Sequence, residues 1–229
     1  MKEIIACSIF TFLLDSILAH WFPNDKKGRY FALHAFTNAL VVIVTTPDVY
    51  NVVVNTPQAN MFAPTNYHGP ILAMVLHAYH ILMFRPLDTI DWVHHILSCF
   101  ICAPLVTLMN KGPLLNFGIW FVTGFPGGIE YATLVLVRKG YMEKLTQKWI
   151  SSILQVYVRC PGMIAYLVLL WTSWNMVSQD PDMRRRYASK AYVDLAYMDG
   201  MVAISCLIYY WNATYFMHRV VLNYGEKRY

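Results

Sequence analysis

The chain has 229 residues and a net charge of +5, with 57% apolar and 15% aromatic residues but only 14% charged, well under the roughly one quarter of an average soluble domain, so a disordered, collagen-like or ordinary soluble protein is excluded. At roughly 20 apolar residues per bilayer crossing, seven crossings use about 140 residues and leave fewer than about a hundred for loops and ends, too few for a separate soluble domain. The positive charge lies scattered between apolar stretches and forms no basic helix or aromatic-interleaved patch, which excludes nucleic acid as a partner, and five cysteines at irregular spacings give no disulfide framework.

Seven apolar segments follow in chain order, at about 4–22, 30–54, 70–84, 92–109, 114–137, 149–176 and 191–217, and predict an all-α integral membrane protein with short loops. The joints carry breaker and charge signals, among them Pro23 to Arg29, Arg85-Pro86 and Asn110-Lys111-Gly112-Pro113. The first segment contains Asp15 and His20 and leaves through Trp21-Phe22-Pro23, with no small-residue cleavage site, so it reads as a retained helix and not as a signal peptide. Lys and Arg of the loops divide unevenly: eleven, from Lys26 and Lys27 through Arg85 and Arg138 to Arg228, fall on one face, and six, including Lys111 and Arg184 to Arg186, on the other. That bias places the C-terminus in the cytosol or its topological equivalent and the N-terminus across the membrane.

The fifth segment contains Thr123-Gly124-Phe125-Pro126-Gly127-Gly128. Proline removes a backbone donor and glycines remove side chains, so a broken helix is expected here, marking either an internal site or a packing kink.

Ionisable side chains inside spans are costly and usually face a bundle interior. Asp91-Trp92-Val93-His94-His95 opens the fourth segment, with Asp91 one turn from both histidines, so a carboxylate can accept one imidazole N–H and fix which nitrogen is free. A general base or nucleophilic histidine needs that arrangement, and so does a purely structural capped helix start. His77 and His80 share a face of the preceding segment, with Asp88 beyond, and a tight turn brings four histidines and two carboxylates together. A metal reading is thin beside the histidine-rich clusters of di-iron membrane enzymes, and satisfied polar histidines are preferred. Glu130 and Arg159 are expected as an interhelical ion pair. Asp194 and Asp199, beside Tyr192, Tyr197, Tyr209 and Tyr210, either line the same cavity or bond tyrosine hydroxyls. Cys99-Phe100-Ile101-Cys102 and the sequon Asn212-Ala213-Thr214 lie inside apolar runs and are read as chance; neither a phosphate-cradling loop nor a Gly-x-Ser-x-Gly elbow occurs, and no cofactor is implied.

The order of these features resembles the TLC domain family, the membrane domain shared by ceramide synthases and their smaller relatives. His34-Ala35-Phe36 after Arg29 resembles the histidine opening the domain's first helix, Asp91 to His95 its paired-histidine helix, Glu130-Tyr131-Ala132-Thr133-Leu134 its Glu-centred segment, and Arg159 the arginine of the next helix. The likeness covers about residues 29 to 220. It implies three parts: an N-terminal helix with its basic loop (1–28), a six-helix bundle curved around a polar-lined cavity that admits an acyl chain (29–220), and a short tail (221–229). In ceramide synthases the paired histidines work on acyl-CoA and a sphingoid amine, so by resemblance His94 and His95 would act as base or acyl acceptor with Asp91 beside them. His34, His77, His80, Glu130, Arg159, Asp194 and Asp199 would line the cavity. Where the synthases carry an aspartate pair this chain has Asn110, Lys111, Gly112 and Asn116, and His80 replaces the usual preceding aspartate, so the resemblance is to a smaller member lacking that pair.

Two functions are carried forward. One is lipid handling, by binding an acyl chain or transferring an acyl group, with membrane lipids and acyl-CoA as partners. The other is a non-catalytic accessory subunit of a larger membrane assembly such as a respiratory complex, motivated by the missing aspartates, tiny loops and abundant aromatics. A transporter or channel ranks below both, for no inverted repeat is visible. The resemblance implies the endoplasmic reticulum; the inner mitochondrial membrane suits the accessory reading.

Overall fold

The structure is a computed structural model that describes residues 2–109 and 111–228, with the side chains of residues 91, 98, 102 and 106 outside the description. All secondary structure among the described residues is helical. Four helical runs are long and apolar enough to cross a membrane: 2–21, 26–54, 114–138 and 144–179, with a shorter apolar run over 92–105. The seven-segment expectation is thus met at four places by length and composition. The third segment, α4 (His68–Met83), has 16 residues, about 24 Å of helix against the roughly 30 Å of a hydrocarbon core.

α1 (Lys2–Trp21) turns Ile5, Ile9, Phe12 and Ile17 outward. Its one buried acid, Asp15, forms an ion pair with Arg29 at 3.1 Å and accepts the Tyr79 hydroxyl at 2.8 Å, which stitches α1 to α2 (Lys26–Val54) and α4. Around that tie Leu18 and Phe22 pack on Leu33, Leu76 and Phe84. Along α2 the buried positions His34, Asn38, Val41, Thr45, Asp48 and Val52 recur at alternating steps of four and three, one face of a helix. Each polar member meets a partner: Thr45 donates to the Val41 carbonyl, Asp48 accepts from Thr65 and Asn116, and Asn38 accepts from Thr123. Gly69 is required where α4 crosses this face, because a Cβ there would collide with the Thr45 methyl.

After the short α3 (Pro57–Phe62), the fourth segment starts as α5 (Thr89–His95), widens into a π-helix over Ile96–Cys102 and ends as α6 (Ala103–Leu108). The fifth segment joins α7 (Leu114–Ile119) to α8 (Phe125–Arg138) through a π turn at Trp120–Gly124, and the sixth joins α9 (Lys144–Leu154) to α10 (Cys160–Gln179) through a π turn at Gln155–Arg159. The helix expected to break at Pro126 therefore continues. Pro126 falls in the first turn of α8 directly after the π turn, which absorbs the adjustment that its fixed φ and missing donor require. After α11 (Pro181–Ala188) the seventh segment begins later than expected: Asp194 caps a 3₁₀ turn by accepting the Ala196 N–H, and α12 runs over Met198–Arg228.

The main core packs α10 and α12 on α3 and α7, with Met61, Leu114, Met163, Tyr166, Leu170 and Met198 inaccessible. Lys111, expected among loop charges at the membrane surface, lies here instead, fully buried with its amine on the Tyr166 hydroxyl and over its ring. Nearby, Tyr187 donates to the Met109 carbonyl and Lys190 to that of Met61. At the opposite end of the bundle Lys26 reaches the Arg85 carbonyl, Lys139 that of Trp21, and Lys148 the Asn223 side chain.

Asp25 at this basic end has two duties: it caps α2 by accepting the Gly28 N–H at 2.9 Å, and it pairs with Arg138 at 2.5 Å, whose hydrogen bond holds its carboxyl below the usual carboxylate range. A depressed pKa stabilises the fold above the unfolded value, and that contribution is lost as pH falls through the folded value. Asp25→Asn keeps a capping oxygen and loses the charge pair, so its melting midpoint is expected to fall less than that of Asp25→Ala, for which cap loss alone costs about 1 kcal/mol. Acid lowers the wild-type midpoint more than that of Asp25→Asn; equal acid sensitivity in thermal scans of the two would refute the linkage.

Candidate functional site

A cavity of about 620 Å³ lies inside the bundle. It opens at the basic end, where Lys27, Arg219 and Asn223 line it, and descends to Pro70, Thr107, Leu115, Met163 and Tyr209 on top of the main core. Between these levels lies a polar belt.

One side of the belt is built of imidazoles. His34, His77 and His94 line the cavity, and buried His80 and His95 stand behind them. Neighbouring ring centroids are close: His34 to His80 5.6 Å, His80 to His95 4.9 Å, His95 to His77 5.3 Å and His77 to His94 5.7 Å. The tight turn after α4 thus brings together the four histidines read from the sequence, and α2 adds His34. Nδ1 of His34 stands 2.9 Å from the Tyr30 carbonyl and Nδ1 of His77 2.6 Å from that of Ala73. A carbonyl only accepts, so both Nδ1 atoms carry the proton and each Nε2 keeps its lone pair. Such a nitrogen can accept a ligand proton or act as a base. Asp91, the expected orienting carboxylate, lies outside the described side chains, and Asp88 is exposed. Among the described residues, no group of three or more His, Cys, Asp or Glu side chains is arranged to hold a metal ion.

The facing side carries Glu130 and Arg159. They do not form the direct ion pair expected of them: Gln155 stands between, its amide N–H 3.5 Å from the Glu130 carboxylate and its amide oxygen accepting from Arg159 at 3.3 Å. Arg159 also donates through Nε to the Val122 carbonyl at 3.1 Å and through its other terminal nitrogen to Asn212, and its guanidinium lies over the Phe216 ring. Val122 is four residues before Pro126, whose ring nitrogen has no hydrogen to give. The guanidinium supplies the donor that proline withholds. Asn212, discounted as a chance sequon, is buried as its partner. Asp194 and Asp199 lie outside this cavity: both are exposed, Asp194 on its 3₁₀ cap and Asp199 accepting the Trp174 indole N–H.

Sequence reading missed Tyr30 and Tyr131, whose hydroxyls meet at 3.2 Å beside His34, and it missed the π turns. Each π segment contributes to the wall: Cys99 from the first, Val122 and Thr123 from the second, Gln155 and Arg159 from the third. Ile90, His94, Cys99, Ala103 and Thr107 all line the cavity although one step is five residues. In an α-helix that step swings a side chain about 140° away, whereas the wider π turn returns it near the same side. The proline four residues after a span carbonyl was the available signal for the arginine's place.

In comparisons with protein-family models, curated proteins and solved structures, nothing matched this chain.

Arg159→Ala leaves the Val122 carbonyl and Asn212 unpaired, whereas Pro126→Ala returns a backbone N–H to that carbonyl. Unfolding measurements on the two single variants and the double variant are expected to show the double losing less stability than the singles combined, with a coupling of about 1 kcal/mol. Strict additivity would refute the substitution of guanidinium for backbone donor.

Proposed function

We propose that the chain is a seven-crossing membrane protein of the TLC type that holds a lipid acyl chain in its cavity, with the ligand's polar group at the histidine belt. The observation that carries this reading is the layering of the cavity: basic groups at its mouth, imidazoles facing a Glu–Gln–Arg chain below them, and a largely apolar lower part, inside helices long enough to cross a membrane. An amphiphile matches that sequence of environments, since its polar atoms find donors and acceptors where burial would otherwise cost them and its chain replaces water against apolar walls.

His94 is the imidazole of the paired-histidine segment that faces the cavity, and His95, packed against His77, His80 and His94, positions it. Acyl transfer, with acyl-CoA as donor and His94 as base or acceptor, is the chemistry the family resemblance implies for this place. By the same resemblance the membrane is that of the endoplasmic reticulum, and the basic end faces the cytosol.

Native mass spectrometry of the protein released gently from its own membrane tests the reading. The expected result is an acyl lipid, an acyl-CoA or a covalent acyl mass on a small particle, and a roughly tenfold weaker retention by His94→Ala at unchanged folding, the effect of losing one good buried hydrogen bond. Stoichiometric partner subunits with only bulk phospholipid would make this an accessory subunit and the histidines an inherited polar core.

A further inference from the structure

The end of the bundle opposite the cavity mouth carries few cations, and most of them stand together. Of the six lysines and arginines assigned to that face, Arg184, Arg185, Arg186 and Lys190 fall within seven residues, on α11 and the turn after it. We infer that this patch holds the phosphate of an anionic phospholipid from the adjoining membrane leaflet, with Arg186 and Lys190 on the phosphate and a groove between α3 and α11 taking part of the lipid's apolar body. The inference rests on the membrane-crossing part of the reading above and is independent of what fills the cavity.

α11 presents its arginines from a fixed platform. Asp180 caps it by accepting the N–H groups of Asp182 and Met183 at 2.9 and 3.0 Å. Tyr187 is fully buried, its hydroxyl donating to the Met109 carbonyl and its ring against Trp174 and Phe62. The three arginines are thereby turned outward and exposed. Arg185 pairs with Asp182, whereas among the described residues Arg184 and Arg186 form no ion pair with a carboxylate. The Arg186 guanidinium lies 4.7 Å from the centre of the Phe62 ring, and the Lys190 amine stands 5.9 Å from the same centre while donating to the Met61 carbonyl at 2.6 Å. Two cations thus flank one aromatic ring, and burial together with the Arg186 charge pushes the Lys190 amine down from the usual lysine range. Like charges four residues apart repel. A phosphate between them removes that cost by accepting charge-assisted hydrogen bonds from both.

The groove and its place decide between a lipid and a soluble anion. Ala59, Phe62, Ala63 and Met183 line it beside Gln58 and Arg186, so apolar surface adjoins the charge. α10 ends at Gln179 and α11 begins at Pro181, and the run 144–179 is one of those long and apolar enough to cross a membrane, so on that reading the patch stands where the run leaves the hydrocarbon. Tyr192 and Tyr197, which follow shortly in the chain, are exposed, and amphipathic rings of this kind suit the headgroup level. A soluble phosphate would use the cations and leave the groove unused. A phospholipid uses both.

The probe is phosphatidylglycerol against phosphatidylcholine of the same chains, added to the intact protein in detergent and read by native mass spectrometry, with inorganic phosphate as competitor. Wild-type protein is expected to retain phosphatidylglycerol in preference, and Arg186→Gln to weaken that retention about fivefold, the worth of one cation near a membrane surface. Arg185→Gln, whose charge Asp182 already meets, is expected to change it little. Ala59→Trp, at an exposed position, fills the groove and is expected to weaken retention with every cation in place. Equal losses in the two arginine variants would reduce the patch to diffuse charge and overturn the site. Retention competed away by inorganic phosphate and untouched by Ala59→Trp assigns the patch to a soluble anion and overturns the lipid. Preference lost in Lys27→Gln instead places the anionic lipid at the cavity mouth, and no preference in the wild type overturns the inference outright. An acyl lipid already bound on release from the native membrane, and unaffected by these variants, leaves the cavity reading standing whichever way this test falls.

Discussion

The hydrogen bonds of Arg159 are the constraint on which the cavity depends. A guanidinium buried inside a helix apolar enough to cross a membrane is costly unless its donors are satisfied, and here they are spent on three elements: the Val122 carbonyl on the fifth segment, Gln155 one turn away on its own helix, and Asn212 on α12. Those helices are thereby held at the separation of an arginine side chain. Gly162 shows how tightly the fifth and sixth segments meet just beyond, since a Cβ there would overlap the Phe121 ring. Contact below and separation at the arginine leave the space that becomes the cavity.

The π turns serve the same geometry. Each inserts a residue where the helix wall faces the cavity, and each places a polar or small group inward, Cys99, Thr123, Gln155 and Arg159 among them. A π turn frees backbone groups from the regular ladder, and in hydrocarbon such groups need partners from the protein. Pro126 adds one more freed carbonyl, and Arg159 answers it. Three wide turns at one level of the bundle are thus a local cost repaid by the polar belt they build, the pattern expected where sequence departs from regular structure for a site.

The helical class, the apolar segments and the histidine level were legible because they rest on short-range pattern: the apolar runs, and His77, His80, His94 and His95 held near each other by a turn of a few residues. What was not legible depends on long-range register. Glu130 and Arg159 are opposite charges on neighbouring helices, but the intervening Gln155 follows from the relative rotation of α8 and α9. Asp194 and Asp199 share a segment with cavity residues of α12, yet they precede or open that helix at the end far from the mouth. Lys111 was assigned to a surface by its charge, whereas the tyrosine that holds it, Tyr166, lies 55 residues further along the chain. Helix boundaries shifted for a simpler reason, since hydropathy marks where apolar residues stop and not where hydrogen bonding does: α12 continues through Arg219 and Lys227 beyond the apolar run.

The wall carrying His94 and His95 is tied to the bundle differently from the others. It packs on α12, including His94 against Phe216, meets α4 through the imidazoles, His77 with His94 and His95, and His80 with His95, and is tied at its lower end by Leu105 on the main core and by the Leu108 carbonyl accepting the Tyr192 N–H at 3.2 Å. Ring contacts between imidazoles are modest attractions, and they leave the outer face of this wall, Phe100 and Ile96 included, exposed. On the lipid-holding reading, a ligand polar group seated under His94 would add hydrogen bonds between this wall and the rest of the bundle. Whatever binds only the folded, closed wall stabilises it in proportion to the logarithm of its concentration over its dissociation constant. On that reading the histidine belt would be both the place of ligand chemistry and the seam along which occupancy changes the stability of the bundle, so that loss of binding and loosening of the 89–108 wall would be two readings of one equilibrium.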